Sequence, residues 1–375
     1  MGAGTAQRGA CLLISGKVRK NMEFVVFAGV LLLLFIFMIV QELIQTKNQE
    51  KLFKKYLREN YGKEPPKEYS LERFARLGSY LERHKEEKQL DDITWNDLGM
   101  DEVFRRIDRT YSAAGEEYLY YTLRNISCGR EALEHLEEVV NWLQEQENIK
   151  VRIQLLMKRL GHLGKYSLYD YLDNLDYLGE RSNRKIVLGN LLYLPFLLLL
   201  FVQPAMGTIG IVLCMLWHIM TYFREKKVIE PYIISFAYVL RLIDVCEELE
   251  KQKIPVYRRE LDELREALKS LRELRRGAYW VMAGNQGKIG GNPLDILADY
   301  LRMILHLDIF QFNRMLEKLR KKTGQVENML AITGYLDMAI SVGGFRKSLE
   351  GYCIPKLEED TEKAFLHMKK GWHPL

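Results

Sequence analysis

The chain has 375 residues, 48% of them hydrophobic and 28% charged, with a formal net charge of +5. That length suits two or three domains, and so mild a positive excess needs no more than the basic flanks of membrane segments, so it is no sign of nucleic-acid binding. The five cysteines (Cys11, Cys128, Cys214, Cys246 and Cys353) are far apart and form no Cys-x-x-Cys, which argues against a cysteine metal site and fits a reducing compartment.

Residues 1–22 are a basic tail with Arg8, Lys17, Arg19 and Lys20 and no acid. Phe24–Val40 then runs 17 residues without charge, so 23–43 reads as a transmembrane anchor. The run is long for a signal peptide, and Gln41–Gln45 offers no small-residue cleavage site. Lys47, Lys51, Lys54, Lys55 and Arg58 nearly balance the tail, so the positive-inside rule does not orient this anchor. A translation start at Met22 would remove the tail.

Residues 44–90 read as a linker and then, after Pro65-Pro66, an amphipathic helix with Leu71, Phe74, Leu77, Tyr80 and Leu81 at helical spacing. In Asp91-Asp92-Ile93-Thr94-Trp95-Asn96-Asp97-Leu98 the acids read as caps of a helix starting near Asp101 rather than as a metal site. From Ile107 to Arg124 the small residues Ser112-Ala113-Ala114-Gly115 allow close backbone approach. Tyr118, Leu119 and Leu123 resume a helical stripe, which Leu133, Val139, Val140 and Leu143 continue past Cys128-Gly129.

Ile186–Phe223 holds 38 residues without one Asp, Glu, Lys or Arg. That is long enough to cross a bilayer twice. Gln203-Pro204-Ala205-Met206-Gly207 reads as the turn of a hairpin, Ile186–Val202 out and Gly207–Phe223 back. Arg181, Arg184 and Lys185 precede it, and Arg224, Lys226 and Lys227 follow, which puts both ends in the cytoplasm. His218 lies in the second span. It reads either as a proton-relay group or as a neutral residue near the interfacial Trp217 and Tyr222.

Beyond the hairpin, Val228–Leu249 is an apolar-rich helix. Leu261, Leu264, Leu268, Leu271 and Leu274 then suggest a short coiled-coil-like arm with a solvated, mixed-charge face. Gly284-Asn285-Gln286-Gly287-Lys288-Ile289-Gly290-Gly291 fails as a Walker A loop: Met282 stands where its first glycine belongs, and no Ser or Thr follows Lys288. Leu294–Lys322 reads as one amphipathic helix with Leu297, Leu301, Ile304 and Leu305 on one side. Leu330–Ser341 is a helix with Asp337 directly after Leu336. Tyr352-Cys353-Ile354-Pro355 and Gly371-Trp372-His373-Pro374-Leu375 close the chain.

Thr110, Gly115, Leu119 and Leu123, then Leu336 and Asp337, then Tyr352 and Pro355, then His373 and Pro374 together resemble the MutS family, over roughly residues 91–375. Trp95-Asn96-Asp97-Leu98 resembles its membrane-anchored, MutS-related branch. Where the family usually has an arginine after the glycine, this chain has Glu116. The resemblance implies an all-α core and lever domain, with an N-terminal transmembrane helix and an inserted transmembrane hairpin. Residues 91–185 and 224–355 would be the helical core and lever, 186–223 the hairpin, and 356–375 the lead-in to an ATPase domain. No Walker A or Walker B sequence occurs, so no cofactor and no catalysis are expected of this chain. ATP and magnesium are implied only for the domain that would follow, and the chain reads as a gene fragment or truncated product. The family's Phe-x-Glu wedge has one match, Phe223-Arg224-Glu225, at the membrane exit where no duplex reaches it.

The expected function is therefore a membrane-anchored, mismatch-repair-like module coupling an ATP-binding domain to DNA or partner binding. It would sit in the cell membrane as a multi-pass protein with its soluble bulk cytoplasmic. Its partners would be the lipid bilayer, a second copy, double-stranded DNA or another protein. The competing reading is a membrane scaffold that binds a protein through its cytoplasmic helices, with no DNA role. A transporter is the weakest alternative, because the apolar segments carry no Asp, Glu, Lys or Arg to coordinate a solute.

Overall fold

The computed structural model describes residues 36–63, 69–85, 88–126, 129–163, 167–275, 293–356, 367–369 and 371. Among these the chain is all-helical, with no strand and one isolated antiparallel bridge between Gln89 and Asn125. Two units separate, Met1–Asn60 and Tyr61–Leu375.

In the first unit, residues 36–60 form one helix, α1. Lys54 pairs with Glu50 at 2.5 Å and Lys55 with Glu59 at 3.8 Å, both one turn apart on its surface. Most of the expected anchor lies outside the described residues. Its described end is helical, with Ile36 to Val40 and Leu43 exposed.

The second unit begins with α2 (Leu71–Arg83), capped by Ser70, whose side chain accepts from the Arg73 amide. Asp91 caps α3 (Asp92–Asp97), and α4 (Met100–Ile107) follows Gly99. The acids at 91–92 thus serve their own short helix and not the one at Asp101. Gly99, in the left-handed region at φ 60°, makes the corner between the two helices, a conformation glycine adopts without strain. Asp101 instead accepts the indole hydrogen of buried Trp95 at 2.7 Å.

Next come α5 (Ala113–Arg124), α6 (Arg130–Glu145), α7 (Glu147–Leu160) and the short α8 (Leu168–Asp173). Val139, Val140 and Leu143 are buried as the stripe predicts, but Leu133 is exposed at the start of α6.

α9 (Arg184–Leu191) and α10 (Tyr193–Val202) form the outgoing apolar segment, and α11 (Pro204–Glu250) the return. The break at Leu192 follows from Pro195, which has no amide hydrogen for the Leu191 carbonyl four residues back. Gly207 and Gly210 let the two arms touch. A Cβ on Gly207 would lie 2.6 Å from the Leu200 amide nitrogen, and one on Gly210 would lie 2.1 Å from the Phe196 ring. Two helices are long and apolar enough to cross a membrane, Arg184–Val202 (19 residues) and Pro204–Glu230 (27 residues). Only 6% and 28% of their most apolar windows are buried within the protein, whereas a soluble core helix would be mostly covered.

α11 does not end where the apolar stretch ends. Arg224-Glu225-Lys226-Lys227 are good helix formers, and the helix runs on for 47 residues in all, about 70 Å at ~1.5 Å per residue. Its distal half, with Phe236, Val239, Leu242, Ile243, Cys246 and Leu249 fully buried, is a core helix of the body.

α12 (Arg258–Leu271) corrects the coiled-coil reading. Leu261, Leu264, Leu268 and Leu271 are buried against the body's own helices, so the leucine stripe has its partner within the chain. The proposed single helix 294–322 is two, α13 (Pro293–Leu305) and α14 (Leu307–Arg320), split at His306. His306 has φ 54° and is the one non-glycine residue with positive φ among the described residues. The inward face of α13 carries Arg302, 5% exposed, while Leu301 is 44% exposed, the reverse of the expected stripe. The Gly284–Gly291 loop lies outside the described residues. α15 (Thr323–Ser348) is the central helix, with Val326, Met329, Leu336, Ala339 and Ile340 buried and α5, α6, α7, α11 and α12 packed around it.

Candidate functional site

The sequence-predicted residues converge where the irregular segment 108–112 and the start of α5 lie against α15. Ser112 is the N-cap of α5; its hydroxyl oxygen accepts from the Gly115 amide at 3.1 Å. The same hydroxyl donates to Asp337 Oδ2 at 2.6 Å. That oxygen also accepts the Ser112 amide at 2.8 Å and the Tyr111 amide at 3.0 Å. One turn along α15, Ser341 Oγ donates to the Ile107 carbonyl at 2.8 Å and accepts the Arg109 amide at 2.7 Å. Two side chains of one helix therefore hold the whole backbone turn between α4 and α5.

Thr110 completes the turn locally. Its amide and hydroxyl donate to Asp108 Oδ1 at 3.0 and 2.6 Å, and Tyr69 donates to Asp108 Oδ2 at 2.5 Å. Asp108, Thr110, Ser112 and Asp337 are each 0–1% exposed, so every one of these polar groups must be satisfied inside the protein. Gly115 is fixed by space: a Cβ there would sit 2.4 Å from Asp337 Oδ2 and 2.6 Å from Asp337 Cβ. Gly334 plays the same part from α15, where a Cβ would lie 2.6 Å from the Ala114 carbonyl oxygen. Leu119 and Leu336 are buried beside the junction, and Leu123 is half-buried at its edge.

Glu116, which replaces the family's usual arginine, is fully buried against α2. It accepts from Arg73 Nε and from Arg76 Nη2, the latter at 2.8 Å, and His162 Nδ1 is 3.5 Å away. An arginine at 116 would face two others, so the departure from the family pattern is matched by its surroundings. The adjacent Glu117 is 3% exposed and accepts from Ser167 Oγ at 2.8 Å. Burial pushes its carboxyl up to about 8, against the opposing Ser167 hydrogen bond and the Arg76 charge; Glu116 and Asp170 add to the rise.

Tyr352 and Pro355 do not join this junction. They are exposed beyond α15, with the Arg346 guanidinium 5.2 Å from the Tyr352 ring. His373 and Pro374 lie outside the described residues. His218 is not on an outer face of the hairpin but 2% exposed at its base, beside Tyr193 and His306. Sequence reasoning missed Arg73, Arg76, Asp108 and Glu117. A signal for the arginines was present, since Arg73, Leu77 and Tyr80 share one face of α2 and Arg76 borders it.

The junction presents no exposed nucleophile, and its acids are enclosed by their own partners. Its geometry suits clamping and transmission rather than bond-breaking. Among the described residues no group of three or more His, Cys, Asp or Glu is placed to hold a metal ion. No family model matches the chain, and neither a curated protein nor a solved structure matches it.

Proposed function

We propose that the chain is a membrane-anchored, MutS-related coupling module, non-enzymatic in itself. In the intact protein it would link an ATP-binding domain, with its ATP and magnesium, to DNA or to a protein partner. The observation that carries this reading is the Asp337 clamp. Two segments singled out for their family resemblance, Thr110–Leu123 and Leu336-Asp337, meet in one buried junction although more than 200 residues separate them. Such a junction passes a displacement of α15 directly to the start of α5.

The second support is α11, which belongs to both the apolar hairpin and the core, so a tilt of the core would be felt in the bilayer. In this reading the two apolar helices span the cell membrane, the turn at Gln203 lies outside and the helical body is cytoplasmic, in keeping with the basic residues at both hairpin ends.

DNA binding is tested with the chain in neutral-lipid nanodiscs and fluorescent matched and mismatched duplexes. The expected result is binding that weakens log-linearly with salt, as phosphate contacts require. No binding to either duplex at low salt would favour the protein-partner scaffold instead.

A further inference from the structure

At the base of the hairpin, where the apolar segments meet the helical body, a cavity of about 720 Å³ opens. Arg181, Lys185 and Arg224 line its rim, and Trp217, His218 and His306 line its interior. Arg181 is committed to Glu225 and to Asn313 Oδ1, the latter at 3.1 Å. Lys185 and Arg224 are exposed and make no hydrogen bond or ion pair among the described residues; Glu180 is the other acid at the rim.

The floor is polar and closely fitted. His218 Nδ1 is 2.9 Å from the Cys214 carbonyl, so that nitrogen carries the hydrogen. Thr221 Oγ1 lies 3.3 Å from His306 Nε2, and the two imidazole centroids are 5.5 Å apart. Burial first, and the neighbouring His218 second among the lowering causes, bring the His306 pKa below its usual range, so that residue of the floor is uncharged at neutral pH. His306 is also the residue held at φ 54°, a conformation that costs free energy and recurs at ligand sites.

The cavity does not stop at the polar rim. Leu192 and Trp217 also line a second groove of about 390 Å³, which continues up the hairpin between Phe196, Leu199, Ile209 and Leu213. A cationic mouth at the expected membrane surface thus leads into an apolar channel along the spans. That sequence of surfaces matches an amphiphile with an anionic phosphate head and an acyl tail, and it matches no free polar metabolite.

We propose that this cavity holds the head group of an anionic phospholipid, with Lys185 and Arg224 facing the phosphate and one acyl chain lying along the groove past Trp217. The proposal rests on the membrane-spanning reading above. Docked there, the lipid would bridge α9, α11 and the α13–α14 corner, and so brace the hairpin against the body.

The test uses the whole chain in phosphatidylcholine vesicles doped with a minor fraction of brominated phosphatidylglycerol or brominated phosphatidylcholine. Bromine quenches tryptophan on contact, and the Trp217 contribution is the part lost in Trp217→Phe. At about fivefold for each basic residue near the surface, the anionic lipid should quench Trp217 at roughly tenfold lower mole fraction than the neutral one. That preference should vanish in the Lys185→Gln/Arg224→Gln variant, and millimolar inorganic phosphate should leave it intact. Equal quenching by both lipids would overturn the site while leaving the spans in place. Abolition by inorganic phosphate would make the ligand a free phosphate and overturn the lipid assignment. Quenching by neither lipid would overturn the membrane reading itself, and the site with it.

Discussion

Asp337→Ala is expected to destabilise the helical body by about 3–5 kcal/mol, the cost of removing one partner from a buried, charge-assisted network. The carboxylate is 0% exposed and receives the Ser112 hydroxyl and the amides of Ser112 and Tyr111. Alanine would leave those donors without an acceptor in a site too tight for water to follow freely. It would also free the Ser112 side chain that caps α5, so the first turn of that helix would fray. Asp337→Asn keeps the shape and one acceptor oxygen and gives up the charge, so its loss should be nearer 1–2 kcal/mol. Denaturant titration followed by far-ultraviolet circular dichroism in detergent micelles measures both. Equal, small losses for the two variants would mean that the clamp does not hold the junction.

The second large effect concerns pH. Glu117 has a folded pKa of about 8 against an ordinary value of 4.5. A raised carboxyl means that the folded protein keeps its proton while the unfolded chain has already released it. Between roughly pH 4.5 and 8 the unfolded state therefore binds fewer protons, and stability falls as pH rises, by up to about 1.4 kcal/mol per pH unit. The contribution is complete below the lower limit and gone above the upper one. Arg76 cannot rescue the ionised form cheaply, because its guanidinium already serves Glu116. Glu117→Gln keeps an oxygen for the Ser167 hydroxyl and has no proton to lose. Its stability should be flatter across this window and higher than that of the parent at pH 8. His162, beside Glu116, titrates in the same range in both proteins, so the difference between them isolates Glu117. Parallel stability–pH curves would contradict the assignment.

The legible parts of the fold were those written in local pattern. Helical periodicity gave the all-α class, the absence of charge gave the hairpin, and Gln203–Gly207 gave its turn. Thr110, Gly115, Leu119, Leu336 and Asp337 could be singled out one by one, but nothing in the sequence told that Asp337 would close on Ser112, because that pairing is set by packing more than 200 residues apart. The charges after Phe223 were read as the end of a helix, when they mark only the end of an apolar stretch; backbone hydrogen bonding continues through Lys and Arg without penalty. The leucines of α12 show why a stripe does not name its partner, since a coiled coil and a core give the same spacing. His306 broke a helix with neither glycine nor proline to announce it. Arg73 and Arg76 were passed over because charged side chains on an amphipathic helix usually face water, and here the acid that draws them inward comes from α5.

The central claim is that one helix, α11, crosses the membrane and then enters the core. Single cysteines at Gln203, Leu213 and Lys227, in a chain whose five native cysteines are replaced by serine or alanine, test it in sealed inside-out and right-side-out vesicles with a membrane-impermeant maleimide. The account predicts that Gln203→Cys reacts only from the outer face, Lys227→Cys only from the cytoplasmic face, and Leu213→Cys from neither. Labelling of all three from one face would contradict it, and would make the hairpin an exposed arm lying on one side of the membrane.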